Sequence, residues 1–311
     1  MAETGRVSAR ASTRHFLAGV VVAMGALVTS LAVPSAGAAT PAPYTHVFEV
    51  VMENFSYAQA MATPAYRALA TRYAYASNYY AAAHPSLPNY LALSGGSTFA
   101  TTSDCTACYV GAPNLFSQLA NAHVSFDAYL EGAPSACYLN PWGGNDYASK
   151  HNPWRYYLDV RASRALCSHL RPYGELGALL AGPASRVAHF VWVTPDLCHD
   201  GHDCGPSLAS RWLTSFVAAV TKSAAWRDHG VLYVTWDEAN GDNTGVVGHR
   251  VRAFGGGGHV LTLVITPGVN HVVLRTALNH YSLLATIEQN FALARLGFAR
   301  GVSVITVAGK S

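Results

Sequence analysis

Acidic and amide side chains directly follow three of the apolar runs in this 311-residue sequence. In an open α/β sheet the ligand crevice lies outside the carboxyl ends of the strands, so acids that are distant in sequence meet there. Converging carboxylates repel one another unless a cation lies among them, and oxygen donors suit a hard divalent metal. Taken singly, each residue is also a common strand-end turn residue or helix cap. The residues are Glu53 and Asn54, Asp196 and Asp200, and Asp237 and Glu238.

We expect four of these residues to hold a divalent metal ion: Glu53, Asn54, Asp237 and Glu238. Oxygen ligands permit Ca²⁺, Mg²⁺ or Mn²⁺, whereas added histidines would admit Zn²⁺ or Fe. The pattern is compatible with one metal ion or with two.

A candidate nucleophile lies in the segment from His84 to Gly95. Ser86 stands where a proline-restricted, extended segment would enter a short helix, which Gly95 would end. The free N–H groups and the dipole of that helix start would favour a bound phosphate, and a metal that lowered the serine pKa would let it attack phosphorus. His84 is either an ordinary loop histidine or a cation that faces the phosphate or the leaving group. A plain serine N-cap is the alternative interpretation of Ser86.

Short hydrophobic runs that resemble buried parallel strands alternate with stretches of helical character. This alternation predicts an α/β fold with a mostly parallel central sheet and helices on both faces. No internal repeat or low-complexity linker follows residue 43, so one domain is expected there. The predicted strands are residues 45–52, 187–194, 230–236 and 259–266, and the predicted helices are residues 63–73, 112–122, 206–222 and 281–293.

The amino-terminal residues have the features of a secretory signal. Arg6, Arg10 and Arg14 precede an almost uncharged apolar run over residues 16–33, and residues 36–38 are a small-residue cleavage site. We interpret residues 1–38 as a cleaved signal peptide, with an uncleaved membrane anchor as the alternative. Cleavage predicts a secreted protein, extracellular or associated with the cell wall, without stable membrane insertion.

The overall charge argues against nucleic acid as a partner. The chain has 20 Lys and Arg against 17 Asp and Glu, a formal charge of +3. These charges are too few and too scattered for the basic stripe that nucleic-acid binding needs. With 50% hydrophobic and 12% charged residues, the chain is also unlike an intrinsically disordered one.

Six cysteines in an exported chain predict three disulfides. Short spacing favours two local bridges, which leaves the remaining two cysteines to each other. A zinc site built from four thiolates is the alternative. The predicted pairs are Cys105 with Cys108, Cys198 with Cys204, and Cys137 with Cys167.

Four motifs in this order resemble those of the bacterial and fungal phosphoesterase family, which includes secreted acid phosphatases and phospholipases C and belongs to the alkaline phosphatase superfamily. The run at residues 280–288 is similar to the closing helix of that family. The resemblance spans residues 45–296 and implies an alkaline-phosphatase-like fold for a catalytic domain over residues 39–311. The motifs are Met52-Glu53-Asn54, His84-Pro85-Ser86-Leu87-Pro88-Asn89, Asp200-Gly201-His202-Asp203 and Trp236-Asp237-Glu238.

The resemblance implies roles for particular residues. Glu53 and Asn54 match the first metal-ligand pair of the family, Asp237 and Glu238 match the second pair, and Ser86 matches a nucleophile that is also a metal ligand. Residues that match polar positions around the phosphate are His84, Asn89, His151, Asp200 and His202.

The chain departs from the family pattern at two positions. The family more often has asparagine where this sequence has Asp196 and His199. These changes either add ligands to a second metal site or change the shape of the pocket.

These observations predict a secreted, metal-dependent phosphoric ester hydrolase. Acid phosphatase activity is the leading expectation, with Ser86 as the nucleophile and His84 or His202 assisting the leaving group. The substrate would be a small phosphate ester or a phospholipid. A phospholipase C that cleaves a phosphodiester is the alternative on the same fold, and a non-catalytic secreted binding module is the alternative from another class.

Overall fold

The computed structural model describes residues 43–144 and 146–307. The predicted signal peptide, residues 1–38, lies outside the described residues. The chain within these two ranges forms one compact unit.

A nine-stranded sheet forms the centre of this unit, and a separate two-stranded hairpin accompanies it. The sheet strands are β1 (His46–Met52), β2 (Ala74–Tyr80), β3 (Phe126–Leu130), β4 (Leu170–Pro172), β5 (Phe190–Thr194), β6 (Gly230–Trp236), β9 (His259–Ile265), β10 (Val273–Leu274) and β11 (Leu278–Asn279), and the hairpin strands are β7 (Gly245–Val247) and β8 (Arg250–Arg252). The strand order in the sheet is β10-β2-β9-β6-β1-β5-β3-β4, and β11 pairs with β2. The hairpin lies between β6 and β9 in sequence.

The sheet is mostly parallel, as the sequence predicts. Strand β1 runs parallel to both of its neighbours, β5 and β6, and is buried along its whole length. Because both faces of such a strand are buried, its sequence is mostly hydrophobic and lacks polar alternation, although it includes the buried polar residues His46 and Glu49. The parallel direction expected for residues 259–266 was wrong, because β9 is antiparallel to both β2 and β6.

Helices flank the sheet in two groups. The helices are α1 (Tyr57–Ala62), α2 (Pro64–Arg72), α3 (Ser86–Gly95), α4 (Leu115–Asn121), α5 (Leu158–Ala162), α6 (Arg164–Cys167), α7 (Leu176–Leu180), α8 (Gly205–Lys222), α9 (Ala224–Arg227) and α10 (His280–Asn290). Helix α3 packs against α4 and α10, whereas α8 packs against α2, α7 and α9. Short 3₁₀ turns include Ser149–His151, Pro153–Tyr156 and Gly297–Gly301.

The helix that begins at the candidate nucleophile is set by local sequence. Pro85 precedes α3 as its extended N-cap residue, and Ser86 is the first helical residue. The helix ends at Gly95 as predicted, and Gly96 follows as the C-cap in the left-handed conformation that glycine tolerates. All ten residues of α3 are buried, so the helix is fixed against the sheet.

The structure contains the three predicted disulfides: Cys105–Cys108, Cys137–Cys167 and Cys198–Cys204. The four-thiolate zinc alternative is therefore wrong. None of the helices within residues 43–144 and 146–307 has the length and apolar character needed to cross a membrane.

Candidate active site

The acidic residues after β1 and β6 lie side by side, because these strands are neighbours with Met52 opposite Trp236. The Asp237 N–H donates to the Met52 carbonyl (3.0 Å), and the Asn54 N–H donates to Asp237 Oδ1 (3.2 Å). Although 183 residues separate Asn54 from Asp237 in sequence, the parallel register places both in one crevice at the carboxyl end of the sheet.

The Asn54 side chain lies between two carboxylates. When the amide is oriented to satisfy hydrogen bonding, its nitrogen donates to Glu53 Oε2 (3.0 Å) and Asp237 Oδ1 (3.2 Å). If the amide rotates by half a turn, its carbonyl oxygen faces the same two carboxylate oxygens, and three oxygens then converge as a hard cation requires. Asn54 also has a positive φ of 50°, a conformation that asparagine adopts more readily than most residues.

The protein surroundings of Asp237 disfavour the charged form of its carboxyl group. Its Oδ2 is buried and has no hydrogen-bond partner. Burial raises the pKa of Asp237 well above its usual range, and the nearby charges of Glu53 and Glu238 raise it further. A divalent cation would remove this penalty, so the donor set of Glu53, Asn54 and Asp237 fits a hard metal ion.

Ser86 is held between a carboxylate and an ammonium group. Its hydroxyl donates to Glu53 Oε2 (3.2 Å) and accepts from Lys150 Nζ (3.3 Å), and the residue is only 1% exposed. Burial lowers the pKa of Lys150, but the charges of Glu53 and Asp104 outweigh it and raise the pKa above its ordinary value. A permanent positive charge therefore lies beside the candidate nucleophile.

Asp104 takes the anion position at the start of α3. Its Oδ1 accepts from the Leu87 N–H (2.9 Å), and its Oδ2 forms an ion pair with Lys150 (3.3 Å). We expected from the sequence that the N–H groups at this helix start would be free to bind phosphate. The Leu87 N–H is not free, because it donates a hydrogen bond to the Asp104 carboxylate. The same carboxylate orients the Lys150 ammonium group toward Ser86.

A buried imidazole links two of the predicted acids. His151 Nε2 lies 2.9 Å from Glu53 Oε1, and its Nδ1 lies 3.1 Å from Asp200 Oδ2. Burial lowers the pKa of His151, but the Glu53 and Asp200 carboxylates outweigh it and raise the pKa to about 9. Burial raises the Glu53 pKa, yet the His151 charge prevails and lowers it to about 2.

Both ring nitrogens of His151 therefore face carboxylates. The Asp200 carboxylate is also engaged, since its Oδ1 accepts from the His202 N–H (2.8 Å). In this structure neither His151 nor Asp200 directs a free donor toward a phosphate, and both hold Glu53 and its surroundings in place.

Tyr90 makes a further contact to the Glu53 carboxylate. Its hydroxyl donates to Glu53 Oε1 (3.1 Å), and its ring stacks on His151 with centroids 5.0 Å apart. Tyr90 follows Ser86 by one helical turn of α3, so both side chains face the same carboxylate.

Asn89 uses its amide to hold the loop before Ser86. Its Oδ1 accepts from the Ala82 and Ala83 N–H groups (both 2.9 Å), and its Nδ2 donates to the Ala83 and Pro85 carbonyls (2.8 and 3.1 Å). These four contacts go to the protein backbone, so they give Asn89 a positioning role in the described structure.

The remaining predicted histidines lie on either side of the site. His84 Nδ1 contacts Glu238 Oε2, and its Nε2 lies 2.8 Å from the Asp242 carbonyl. The Glu238 hydrogen bond is the largest influence on His84 and raises its pKa. His202 Nδ1 lies 2.5 Å from Asp203 Oδ1, while its Nε2 is 3.4 Å from Lys150 Nζ.

The two residues at which this chain departs from the family meet in a second cluster. His199 Nδ1 lies 3.0 Å from Glu131 Oε2 and 3.3 Å from Asp196 Oδ2. The ligand atoms of Glu131, Asp196 and His199 all lie within 4.8 Å of one another, so this group is a candidate metal site among the described residues. Glu131 was not among the sequence-based candidates.

The loop that carries Asp200 and His202 is closed by the Cys198–Cys204 disulfide. Gly201 lies between them with a φ of +108°, and a Cβ at this position would lie 2.7 Å from the Phe55 ring. A side chain here is therefore excluded both by backbone conformation and by packing.

Sequence reasoning missed two residues that contact the candidate nucleophile or its carboxylate partner. Lys150 precedes His151 in a loop without a recognisable catalytic pattern, so no local signal marked it. Tyr90 was detectable, because a tyrosine four residues after Ser86 on a helix must lie on the same face.

Comparisons with known proteins identify the family of this chain. The sequence profile of the Phosphoesterase family matches residues 34–294. A phosphatidylinositol-3-phosphatase from Mycobacterium tuberculosis is 31% identical over 309 residues, which cover 96% of this chain and 95% of that protein. An acid phosphatase from Aspergillus fumigatus is 26% identical over 261 residues, which cover 82% of this chain but 56% of the fungal protein.

Solved structures show the same fold at low sequence identity. An alkaline phosphatase superfamily protein from Vibrio parahaemolyticus superposes with a TM-score of 0.50 at 14% identity, covering 86% of this chain and 71% of that chain. The PsFucS1 sulfatase from Pseudoalteromonas sp. gives a TM-score of 0.51 at 10% identity, covering 84% and 70%.

The fold is thus that of the alkaline phosphatase superfamily, as the sequence predicts. Within it, the chain belongs to the Phosphoesterase family. It is a hydrolase that acts on phosphoric ester bonds.

Proposed function

We propose that the protein is a secreted, metal-dependent acid phosphatase that uses Ser86 as its nucleophile. The observation that carries this proposal is the position of the Ser86 hydroxyl between Glu53 Oε2 and Lys150 Nζ, in a crevice where Asp237 Oδ2 is buried without a hydrogen-bond partner. A nucleophile, a cationic neighbour and an oxygen-rich pocket are the parts that phosphoryl transfer through serine requires.

The metal ligands in this proposal are Glu53, Asn54, Asp237 and Ser86, with Glu238 supplying the oxygen that does not contact His84. A divalent ion held there would supply positive charge beside the Ser86 oxygen and the phosphate. Its identity among Ca²⁺, Mg²⁺, Mn²⁺ and Zn²⁺ is left to measurement, because hard oxygen ligands accept several of these ions. Glu131, Asp196 and His199 would form a separate site.

Three residues of the chain, Ser86, His202 and Lys150, have separate roles in the proposed reaction. The Ser86 hydroxyl gives up its proton to solvent, its oxygen attacks phosphorus in line, the bond to the ester oxygen breaks, and the departing oxygen takes a proton from His202. Water next attacks the phosphoserine and gives a proton back to His202. The bond between phosphorus and the Ser86 oxygen breaks, Ser86 takes a proton from solvent, and inorganic phosphate is released. Lys150 stabilises the charge that develops on phosphorus oxygens, which a fixed cation in a partly dehydrated site does efficiently.

Three predicted phosphate-binding residues receive positioning roles in this proposal. Asn89 holds the loop before Ser86, while His151 and Asp200 orient Glu53. His84 contacts Glu238 and fixes that carboxylate, and this hydrogen bond raises the His84 pKa. Direct contact with the phosphate then falls to Lys150, which contacts Ser86, and to His202, which contacts Lys150. Both side chains are partly exposed.

The names of the relatives favour a monoester over a diester substrate. The Mycobacterium tuberculosis relative is named as a phosphatase of a phosphorylated lipid headgroup, and the fungal relatives are named acid phosphatases. We therefore place phosphomonoester hydrolysis before phospholipase C activity.

Turnover of p-nitrophenyl phosphate and bis-p-nitrophenyl phosphate tests this proposal. The wild-type protein should hydrolyse the monoester faster, lose activity with a chelator and regain it with added divalent metal. Ser86→Ala should abolish turnover, whereas Ser97→Ala, just beyond α3, should retain it. Faster hydrolysis of the diester would favour phospholipase C, and a folded, metal-supplemented protein that hydrolyses neither would favour a binding module.

A further inference from the structure

Several exposed apolar side chains gather on one surface outside the catalytic crevice. Val247 is 65% exposed at the end of β7, and Phe254 is 81% exposed just after β8. Phe298, in the turn after α10, is 63% exposed. We call this region, residues 245–254 together with residues 297–302, the hairpin surface. Exposed aromatic side chains of this size, placed together, mark interaction surfaces.

A cleft of about 420 Å³ lies between the two parts of the hairpin surface. Val247 and Gly255 line one side, and Tyr281 and Phe298 line the other. The hairpin is anchored rather than free, because Asn279 Nδ2 donates to the Val246 carbonyl (3.3 Å) and His249 Nδ1 lies 3.1 Å from Ser303 Oγ. The apolar side chains are therefore presented on a fixed framework.

The charges of this surface are of one sign. Arg250 and Arg252 are exposed on β8, between the two apolar side chains Val247 and Phe254, and Arg300 is exposed beside Phe298. Residues 243–311 contain six Lys and Arg and one acidic residue, Glu288, which is buried. The rest of the chain after residue 38 is acidic by comparison, with 11 Lys and Arg against 15 Asp and Glu.

The cleft also adjoins the loop that leads to the nucleophile. Ala81 and Ala82 line the cleft and precede His84 by two or three residues. The Gly257 N–H donates to the Ala81 carbonyl (3.0 Å), which ties the segment after β8 to this loop. A partner bound to the hairpin surface would therefore lie close to the loop that leads to Ser86.

We propose that the hairpin surface docks on an anionic lipid membrane. Val247, Phe254 and Phe298 enter the region between headgroups and acyl chains, while Arg250 and Arg252 contact the lipid phosphates. The combination of exposed aromatic residues with arginines matches the charge and polarity of such an interface. The proposal goes beyond the proposed catalytic function and does not depend on it.

Vesicle sedimentation tests this proposal with the intact exported protein. The protein should bind vesicles of phosphatidylcholine mixed with phosphatidylglycerol and bind pure phosphatidylcholine vesicles weakly. Binding should weaken as salt screens the arginines. Arg250→Gln combined with Arg252→Gln should lower the partition coefficient roughly tenfold or more, since each arginine near an anionic surface contributes about one factor of five.

Matched variants separate docking from folding and from net charge. Arg186→Gln combined with Arg227→Gln removes the same charge from exposed positions near the amino ends of β5 and β6, and should leave vesicle binding unchanged. Phe254→Ser should reduce binding without harming the fold, because its side chain packs little. Turnover of soluble p-nitrophenyl phosphate should be the same in all these variants.

Three results would overturn the proposal. Equal binding to neutral and anionic vesicles would remove the role of the arginines. Unchanged binding in both the arginine and the Phe254 variants would place the contact elsewhere. A dimer in light scattering that Phe254→Ser converts to a monomer, without vesicle binding by the wild type, would show that a second copy covers this surface.

Discussion

The Lys150 ammonium nitrogen lies 3.3 Å from the Ser86 hydroxyl oxygen, although 64 residues separate them in sequence. Asp104 holds the lysine from its other side (3.3 Å) and also accepts from the first turn of α3. One carboxylate thus fixes both the helix that carries the nucleophile and the cation beside it.

The first prediction concerns Lys150. Lys150→Met should lower kcat about a hundredfold or more, because it removes a fixed charge that stabilises the transferring phosphoryl group. Lys150→Arg should retain part of the activity. Steady-state kinetics with p-nitrophenyl phosphate measure the effect, and Lys222→Met at the exposed end of α8 is the control. Wild-type kcat in Lys150→Met would mean that the lysine only pairs with Asp104.

The second prediction concerns Tyr90. Tyr90→Phe removes one hydrogen bond to Glu53 and should weaken metal binding roughly tenfold, as the loss of a group that orients a ligand does. Titration calorimetry with the activating metal gives the affinity. Tyr157→Phe is a matched control, because this buried tyrosine hydrogen-bonds to Ser94 on the same helix (2.9 Å). Equal metal affinity in both variants would show that the Tyr90 hydroxyl does not support metal binding.

The third prediction concerns Asp237 and stability. A metal that binds only the native state at a hundredfold excess over Kd adds about 2.7 kcal/mol to the free energy of unfolding. The added metal should therefore raise the Tm of the wild type, and Asp237→Asn should remove most of that rise. Asp228→Asn, at the opposite end of β6, should keep it. A full rise in Asp237→Asn would show that the carboxylate is structural.

The fourth prediction concerns pH and a buried acid away from the catalytic crevice. Burial raises the pKa of Glu288 from its ordinary value of 4.5 to about 7, although the Leu296 N–H (2.7 Å) and Arg295 oppose this shift. A carboxyl with a raised folded-state pKa stabilises the fold at low pH, and this contribution is lost as pH rises from about 4.5 to about 7.

Glu288→Gln should therefore flatten the loss of stability between about pH 4.5 and pH 7, by up to about 3 kcal/mol. Denaturant unfolding of wild type and variant at both ends of this range gives the difference. Glu175→Gln, which breaks an exposed pair with Arg171, is the control. The same pH slope in wild type and Glu288→Gln would contradict the account of this residue.

The strands that deliver the acids were predictable, and the reason is physical. Residues 230–236 form β6 as expected, because a strand buried on both faces must be hydrophobic throughout. The position of Asp237 beside Glu53 then followed from the parallel sheet. Strand β2 was missed, because its sequence AYASNYY lacks such a run. The predicted direction of β9 was wrong, because a continuous hydrophobic run indicates burial on both faces but does not by itself fix the strand direction.

The sequence predicts which residues lie in the site better than it predicts the contacts that their side chains make. A motif indicates that Asn89 and His151 lie near the phosphate, but only the three-dimensional arrangement shows that their polar atoms face the backbone and two carboxylates. The meeting of Asp196, His199 and Glu131 likewise depends on loops after β3 and β5, whose shapes no local pattern fixes.

The most direct test of the central claim is the identification of the phosphorylated residue during turnover. We expect acid quenching of the metal-loaded protein with p-nitrophenyl phosphate, followed by peptide mass spectrometry, to show one phosphoryl group on Ser86. Chelation before mixing and Ser86→Ala should each abolish the signal. A phosphoryl group on another residue, or metal-dependent turnover by folded Ser86→Ala, would contradict the account.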